Sequence, residues 1–308
     1  MILIDFSNVA LANVFALSRE FSLAEDQKQF TKIFRHALLQ TILSYKNKFS
    51  KVYGTDIVIA ADGKGNWRKQ EFPEYKASRA KARDQSGLNW DYVFAAMDTL
   101  KEEIRTLYPW PIIELPELEG DDVIAILVKR PAVASDAVTD FFAPAGDSGP
   151  AQRTLIISAD GDMKQLHSKR VQQWSPMTRD FVSIKDGWTI YEKIAKGDSG
   201  DGVPNIYSDD DWFTKPQPSR AKAVSKKLIS EVHQAITSGT VDKVFPADVA
   251  RRIHRNINMV DMNHIPKRFH VPVLESLDKY ELKGSKHLMM EHFMQLGASQ
   301  LLARLDEF

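Results

Sequence analysis

Four short, mainly apolar runs each end on an acidic residue or shortly before one, and this pattern constrains the fold more than any other feature of the chain. Ile2-Leu3-Ile4 leads to Asp5, Ile57-Val58-Ile59-Ala60-Ala61 leads to Asp62, and Leu155-Ile156-Ile157-Ser158-Ala159 leads to Asp160. Pro111-Ile112-Ile113-Glu114-Leu115 is followed by Glu119-Gly120-Asp121-Asp122. A strand with one solvated face alternates polar and apolar residues. Continuous apolarity marks strands covered on both faces, as in parallel sheets. The segments between them carry helical spacing: Ile33, Phe34, Ala37, Leu38, Thr41, Ile42 and Tyr45 fall on one stripe, as do Phe94, Met97, Leu100, Ile104 and Leu107. A further helix opens at Val123, with Asp121 and Asp122 in its capping region. Strand alternating with helix predicts an α/β fold with a mostly parallel central sheet flanked by helices. In such sheets the functional crevice lies at the carboxyl ends of the strands, where these acids fall.

Val171 to Ile184 reads as a hairpin at the sheet edge, and after Trp188 the pattern turns mainly helical. We therefore expect an α/β domain over residues 1–187 and a smaller helical domain over 188–308. A loose insertion is expected at 131–153 and a polar, proline-bearing loop at 207–219. A chain of 308 residues accommodates two such domains.

Each acid alone reads as a helix cap or turn residue. Jointly they would repel one another unless a cation compensated them. Oxygen donors without Cys or a coherent His set suit Mg²⁺ or Mn²⁺ rather than zinc. The chain contains no cysteine, which excludes thiolate metal sites, disulfides and a thiol nucleophile. Its eight histidines are scattered and read as structural or surface residues. A glycine-rich turn, Lys196 to Pro204, adds Asp198 and Asp201 to the acidic set.

Net charge is zero, yet the basic residues cluster. Lys64, Arg68, Lys69, Lys76, Arg79, Lys81 and Arg83 face only Glu71 and Glu74, and Lys215, Arg220, Lys222, Lys226 and Lys227 have no acid between them. Trp67, Phe72 and Tyr75 sit among the first group, as expected of a surface on which single-stranded bases stack. Lys76 and Arg79, three apart, are expected on one helical face, able to stabilise charge on a scissile phosphate. No apolar run approaches a membrane span, and the first residues do not form a signal peptide, so the cytoplasm is the expected compartment. On these grounds the chain reads as a metal-dependent nuclease. A small acidic α/β endoribonuclease, an aspartyl phosphatase (disfavoured by Phe6-Ser7 after Asp5) and a catalytically silent DNA-binding protein remain open.

The segment Leu155 to Leu166 with Gln173 to Met177 resembles the flap endonuclease and 5′–3′ exonuclease family. That family includes the ribonucleases H of T-even phages, which the segment also resembles. Leu3 to Ser7, Glu119 to Asp122, Gly197-Asp198 with Asp201, Asp211 to Thr214, and Pro73 to Arg79 carry the same resemblance. It implies a PIN-like 5′-nuclease fold whose C-terminal domain contains a divergent helix–three-turn–helix element. Asp5, Asp62, Asp121 and Asp160 would hold one Mg²⁺, with Glu119 and Asp122 close by, and Asp162, Asp198 and Asp201 a second; Mn²⁺ would substitute. Lys76 and Arg79 would act from an arch, and Arg68, Lys69, Tyr75, Lys81, Arg220, Lys222, Lys226 and Lys227 would contact nucleic acid. The implied substrates are DNA and RNA–DNA hybrids with a 5′ end or flap, cut during removal of lagging-strand primers in an infected host. The enzyme would act as a monomer alongside replication proteins such as a single-strand-binding protein or sliding clamp. Gly200, Gly202 and Asn205 depart from the family's turn, which puts its potassium site in question.

Overall fold

The six strands of a computed structural model are β1 (Ile2–Asp5), β2 (Ile57–Ala61), β3 (Ile112–Glu114), β4 (Thr154–Ile157), β5 (Val171–Ser175) and β6 (Asp180–Phe181). The structure describes residues 1–79, 83, 85–130, 153–184, 189–215 and 222–308. The strands form one sheet in the order β3-β2-β1-β4-β5-β6. All neighbours are parallel except β5 and β6, which pair antiparallel as Trp174 with Phe181 and Ser175 with Asp180. β1 lies centrally, with Ile2 opposite Ile57 on one side and Leu155 on the other. The chain runs outward through β2 and β3, then returns to place β4 against the other flank of β1. The switch point therefore falls between β1 and its neighbours, beside Asp5.

The chain divides into two compact units, Met1–Lys64 with Leu88–Val182 and Lys267–Phe308, and Gly65–Gly87 with Ser183–Pro266. The boundary expected at residue 187, Lys81, Arg220 and the expected insertion apart from Arg153 lie outside the described residues.

In the first unit, the helix Gln27–Tyr53 is capped by the Asp26 carboxylate, and Trp90–Leu107 by Asn89. Their apolar stripes bring Phe34, Leu38 and Ile42 into one core with Val93, Leu100 and Ile104. The C-terminal Phe308 stacks on Tyr108 and Trp110 at 5.5 Å, so this tail packs within its own unit. One ion pair crosses the two long helices: Arg35 Nε and NH2 donate to Glu103 at 2.7 and 2.6 Å. Burial pushes the Glu103 carboxyl up, but His292 and Arg35 outweigh it and hold the group below its ordinary range.

The second unit is helical. It contains Trp67–Glu71, Ile190–Lys196, Lys226–Thr237, Val241–Val244 and Ala247–Val260. Val249, Ile253, Ile257 and Val260 form the buried stripe of the last helix. The polar loop expected at 207–219 is described to residue 215. It is tied to that helix by Asp209–Arg252 and Asp210–Arg251 pairs at 3.0 and 2.9 Å.

Replacing Glu103 by Gln leaves the Arg35 charge buried without a counter-charge and should lower stability by about 3 kcal/mol in urea denaturation near neutral pH. Because the folded Glu103 pKa is depressed, its contribution is present above the ordinary carboxylate range and is lost as pH falls through the folded value. The gap between wild type and E103Q should accordingly close in acid.

Candidate metal centre

At the carboxyl edge of the sheet β1 runs straight into a helix capped by Asp5 and β4 is followed by a turn capped by Asp160, while the segments after β2 and β3 carry Asp62 and the Glu119–Asp122 group. Asp5 caps the helix Phe6–Ala16, accepting from the Asn8 amide at 3.1 Å, and its other oxygen accepts from Ser158 Oγ at 2.8 Å. Asp62 accepts from the Gly120 amide at 2.7 Å and from Ser7 Oγ at 2.8 Å. Asp160 accepts from the Asp162 amide at 2.8 Å and opens the 3₁₀ turn Gly161–Leu166. Glu119 and Asp122 form a reciprocal capping box at the start of the helix Gly120–Val128. Carboxylate oxygens of Glu119, Asp121 and Asp122 lie within 4.8 Å of one another.

These contacts place Asp5, Asp62, Asp160, Asp162 and the Glu119–Asp122 group on one edge of the first unit. Asp5 is only 8% exposed. Burial pushes its carboxyl up to about 7, and the neighbouring charges of Asp62 and Asp160 add to the rise, against hydrogen bonds from Asn8 and Ser158. The helices opening at Phe6 and Gly120 present positive dipole ends that partly compensate this charge. Gly63 makes the close approach of the β2 and β3 ends possible: a Cβ there would lie 1.8 Å from the Leu115 carbonyl oxygen. The donor set is entirely oxygen, the chemistry that suits a hard divalent cation.

Three polar residues that brace this edge were not singled out from the sequence. Asn8 Oδ1 accepts from the Ala159 amide at 2.8 Å. Ser158 Oγ donates to Asp5 and accepts from the Asp160 amide at 3.1 Å. Buried Gln173 donates to the Ser158 and Asp160 carbonyls at 2.8 and 2.7 Å and meets His167 Nε2 at 3.0 Å. Asn8 and Ser158 stand beside the acids in sequence and were available signals. Gln173 opens a segment that carries the family resemblance, but its partners lie on other elements and nothing local shows its bracing role.

Asp198 and Asp201 belong to the second unit. Asp198 pairs with Lys193 at 2.6 Å and accepts from the Gly200 amide at 2.9 Å. Burial alone would raise the Asp198 carboxyl, but Lys193 and the Gly200 and Asp201 amides hold it below the ordinary range. Asp201 accepts from Arg79 NH2 at 2.6 Å and from Tyr75 Oη at 3.0 Å, and Lys76 Nζ stands 3.7 Å away. Lys76 and Arg79 thus converge on one carboxylate.

They do not reach it along one helix, as the sequence suggested. The helix ends at Glu71 before Pro73, residues 73–78 form turns, and Lys76 has φ of 57°. The expected stacking surface is also corrected. Trp67, Phe72 and Tyr75 are 1%, 5% and 1% exposed, their apolar rings withdrawn from solvent. Arg68 is likewise buried, donating from Nε to the Met259 carbonyl at 3.0 Å. Lys69, Lys222, Lys226 and Lys227 remain at the surface.

Residues 1–194 match the 5′–3′ exonuclease N-terminal resolvase-like domain, and residues 187–308 match the C-terminal region of T4 RNase H. The chain belongs to the 5′–3′ exonuclease family. This 5′–3′ exonuclease/flap endonuclease family nuclease is 28% identical to Ribonuclease H of Enterobacteria phage T4 over 314 residues, covering 99% of this chain and 95% of that relative. Its fold is similar to that of T5 5′-exonuclease with bound divalent zinc, at a TM-score of 0.55 and 17% identity, covering 96% of this chain and 98% of that one. It is also similar to bacteriophage T5 D15 flap endonuclease in a pseudo-enzyme–product complex with DNA and metal ions, at a TM-score of 0.53 and 15% identity over 90% and 92% of the chains. No helix among the described residues is long and apolar enough to cross a membrane.

Removing the buried charge should stabilise the nuclease when divalent ions are chelated. A raised carboxyl pKa means that wild type loses stability as pH rises from the ordinary Asp range through about 7. D5N should escape this loss, melting higher than wild type at pH 8 in EDTA by an amount on the order of 3 kcal/mol, with the difference vanishing near pH 4. Thermal melts across that range check it.

Proposed function

We propose that this nuclease hydrolyses phosphodiesters from the 5′ side, acting with Mg²⁺ on RNA–DNA hybrids and on nicked or 5′-flapped DNA. The convergence of Asp5, Asp62, the Glu119–Asp122 group and Asp160 on one strand edge carries this reading, supported by family membership over the whole chain. Asp5, Asp62, Asp121 and Asp160 would hold a first ion, with Glu119 and Asp122 adjoining. For a second ion we propose Asp162, Asp198 and Asp201, the carboxylates that the family resemblance implies. Mn²⁺ should substitute, since the donors are hard oxygens.

Bound there, divalent ions would supply Lewis-acid activation of water and charge compensation in phosphodiester hydrolysis. The chain's own part is to fix the carboxylates before any ion arrives. Ser7 and the Gly120 amide orient Asp62, Ser158 and the Asn8 amide orient Asp5, and the Asp162 amide orients Asp160. Lys76 and Arg79 are cations that a scissile phosphate can draw on, exchanging the Asp201 carboxylate for a phosphate oxygen. Lys69, Lys222, Lys226 and Lys227, with Lys81 and Arg220, add sequence-independent affinity for the backbone. Residues 188–308 supply most of this duplex grip, and primer removal in an infected host cytoplasm, beside a single-strand-binding protein or sliding clamp, is the fitting role.

A 5′-labelled flap, nick and hybrid series, with Mg²⁺ or with EDTA, tests the reading. Short 5′ products should appear only with metal. D160N should abolish cleavage and leave DNA binding within severalfold of wild type. Cleavage by D160N at the wild-type rate would remove the metal assignment. Replacing Lys76 by Ala should lower the single-turnover rate about 100-fold, with little effect on substrate affinity.

A further inference from the structure

The turn that bears Asp198 and Asp201 is clamped from outside by one buried amide. The helix Ile190–Lys196 ends just before the turn, and Asp198 and Val203 close it through reciprocal backbone bonds at 2.8 Å. The Asp198 amide, the donor expected to reach back to the Ile194 carbonyl in a continuing helix, is thereby spent inside the turn. Asn256, fully buried on the helix Ala247–Val260, donates from Nδ2 to that Ile194 carbonyl at 2.7 Å and to the Pro204 carbonyl at 2.9 Å. Its amide thus bridges the last helical turn before Asp198 and the residue that follows the closed turn. Its oxygen accepts from Arg255 Nε at 2.9 Å, which fixes the orientation of the amide and uses the remaining polar atom. Arg255 NH2 donates to the same Pro204 carbonyl at 2.9 Å, and NH1 to Asp210.

Nothing about the helix itself calls for this residue. Asn is a mediocre helix former, and a buried amide is costly unless its hydrogen bonds are met. We propose that Asn256, oriented by Arg255, is a positioning residue that sets the geometry of the Asp198–Asp201 turn for metal-dependent cleavage. The proposal rests on the reading of Asp198 and Asp201 as metal ligands. Residues that orient a ligand through hydrogen bonds change metal affinity when removed, whereas a brace that serves the fold alone changes stability and leaves the metal requirement as it was.

The experiment is cleavage rate against Mg²⁺ and Mn²⁺ concentration for wild type, N256A, R255K, D198N and D201N, with thermal melts and DNA affinity in Ca²⁺ measured alongside. N256A should raise the Mg²⁺ concentration for half-maximal cleavage by about 10-fold, recover much of its rate at saturating metal, and bind DNA nearly as wild type does. R255K keeps the charge facing Asp210 but cannot make all of the arginine's contacts. It should move the metal requirement in the same direction by roughly 3-fold, and it carries the test if N256A does not fold. A lower melting temperature with an unchanged metal requirement in the folded variants overturns the proposal while D198N and D201N still shift it. If neither Asp variant shifts the metal requirement, the ligand reading of the turn fails first and the proposal falls with it.

Discussion

Asp5 sits almost buried at the end of the central strand with the charges of Asp62 and Asp160 beside it, and the rest of the carboxyl edge answers to that repulsion. Left alone, such a group protonates or pushes its neighbours away. Here it is held by the Asn8 amide and Ser158, while Asp62 is held by Ser7 and the Gly120 amide, and two helix N-termini face the same edge. The parallel sheet makes the crowding unavoidable, since β1, β2 and β4 run side by side and end together. The fold stores the destabilisation of an unneutralised acidic cluster, which a bound divalent cation would relieve.

The strands and their terminal acids were legible because burial on both faces leaves continuous apolar runs, and a run that stops on Asp announces its own end. The long helices were legible for the same periodic reason, and the capping of Gln27–Tyr53 and Trp90–Leu107 follows from Asp26 and Asn89 in sequence. The segment after Asp62 misled because aromatics interleaved with cations look alike whether the rings face solvent or a core. Only the structure shows Trp67, Phe72 and Tyr75 turned inward and Lys76 brought to Asp201 by a turn. Gln173 and Asn256 were invisible for another reason. Each is a single polar residue whose backbone carbonyl partners lie on other elements, so no local pattern announces its role.

The departures from the family's turn also acquire a physical sense. Gly202 has φ of 70°, and a Cβ there would lie 2.9 Å from the Glu74 carbonyl oxygen. The Lys76 amide donates to the Asp201 carbonyl at 2.7 Å one residue away. A side chain at Gly202 would be strained in its backbone and would crowd the segment that carries Lys76. Glycine at this position lets the basic segment and the acidic turn join backbone to backbone, so the two charges of opposite sign are set by one short stretch of contact.

The central claim is that the strand-end carboxylates form a divalent-ion site. Titrating the protein with Mn²⁺ and following free ion by electron paramagnetic resonance tests it most directly, without substrate or turnover. The account predicts saturable binding that Mg²⁺ competes away, with D5N and D160N each weakening the tightest site by tenfold or more, on the order expected for loss of one charged ligand. Binding that never saturates, or that is the same in wild type and both variants, would contradict it.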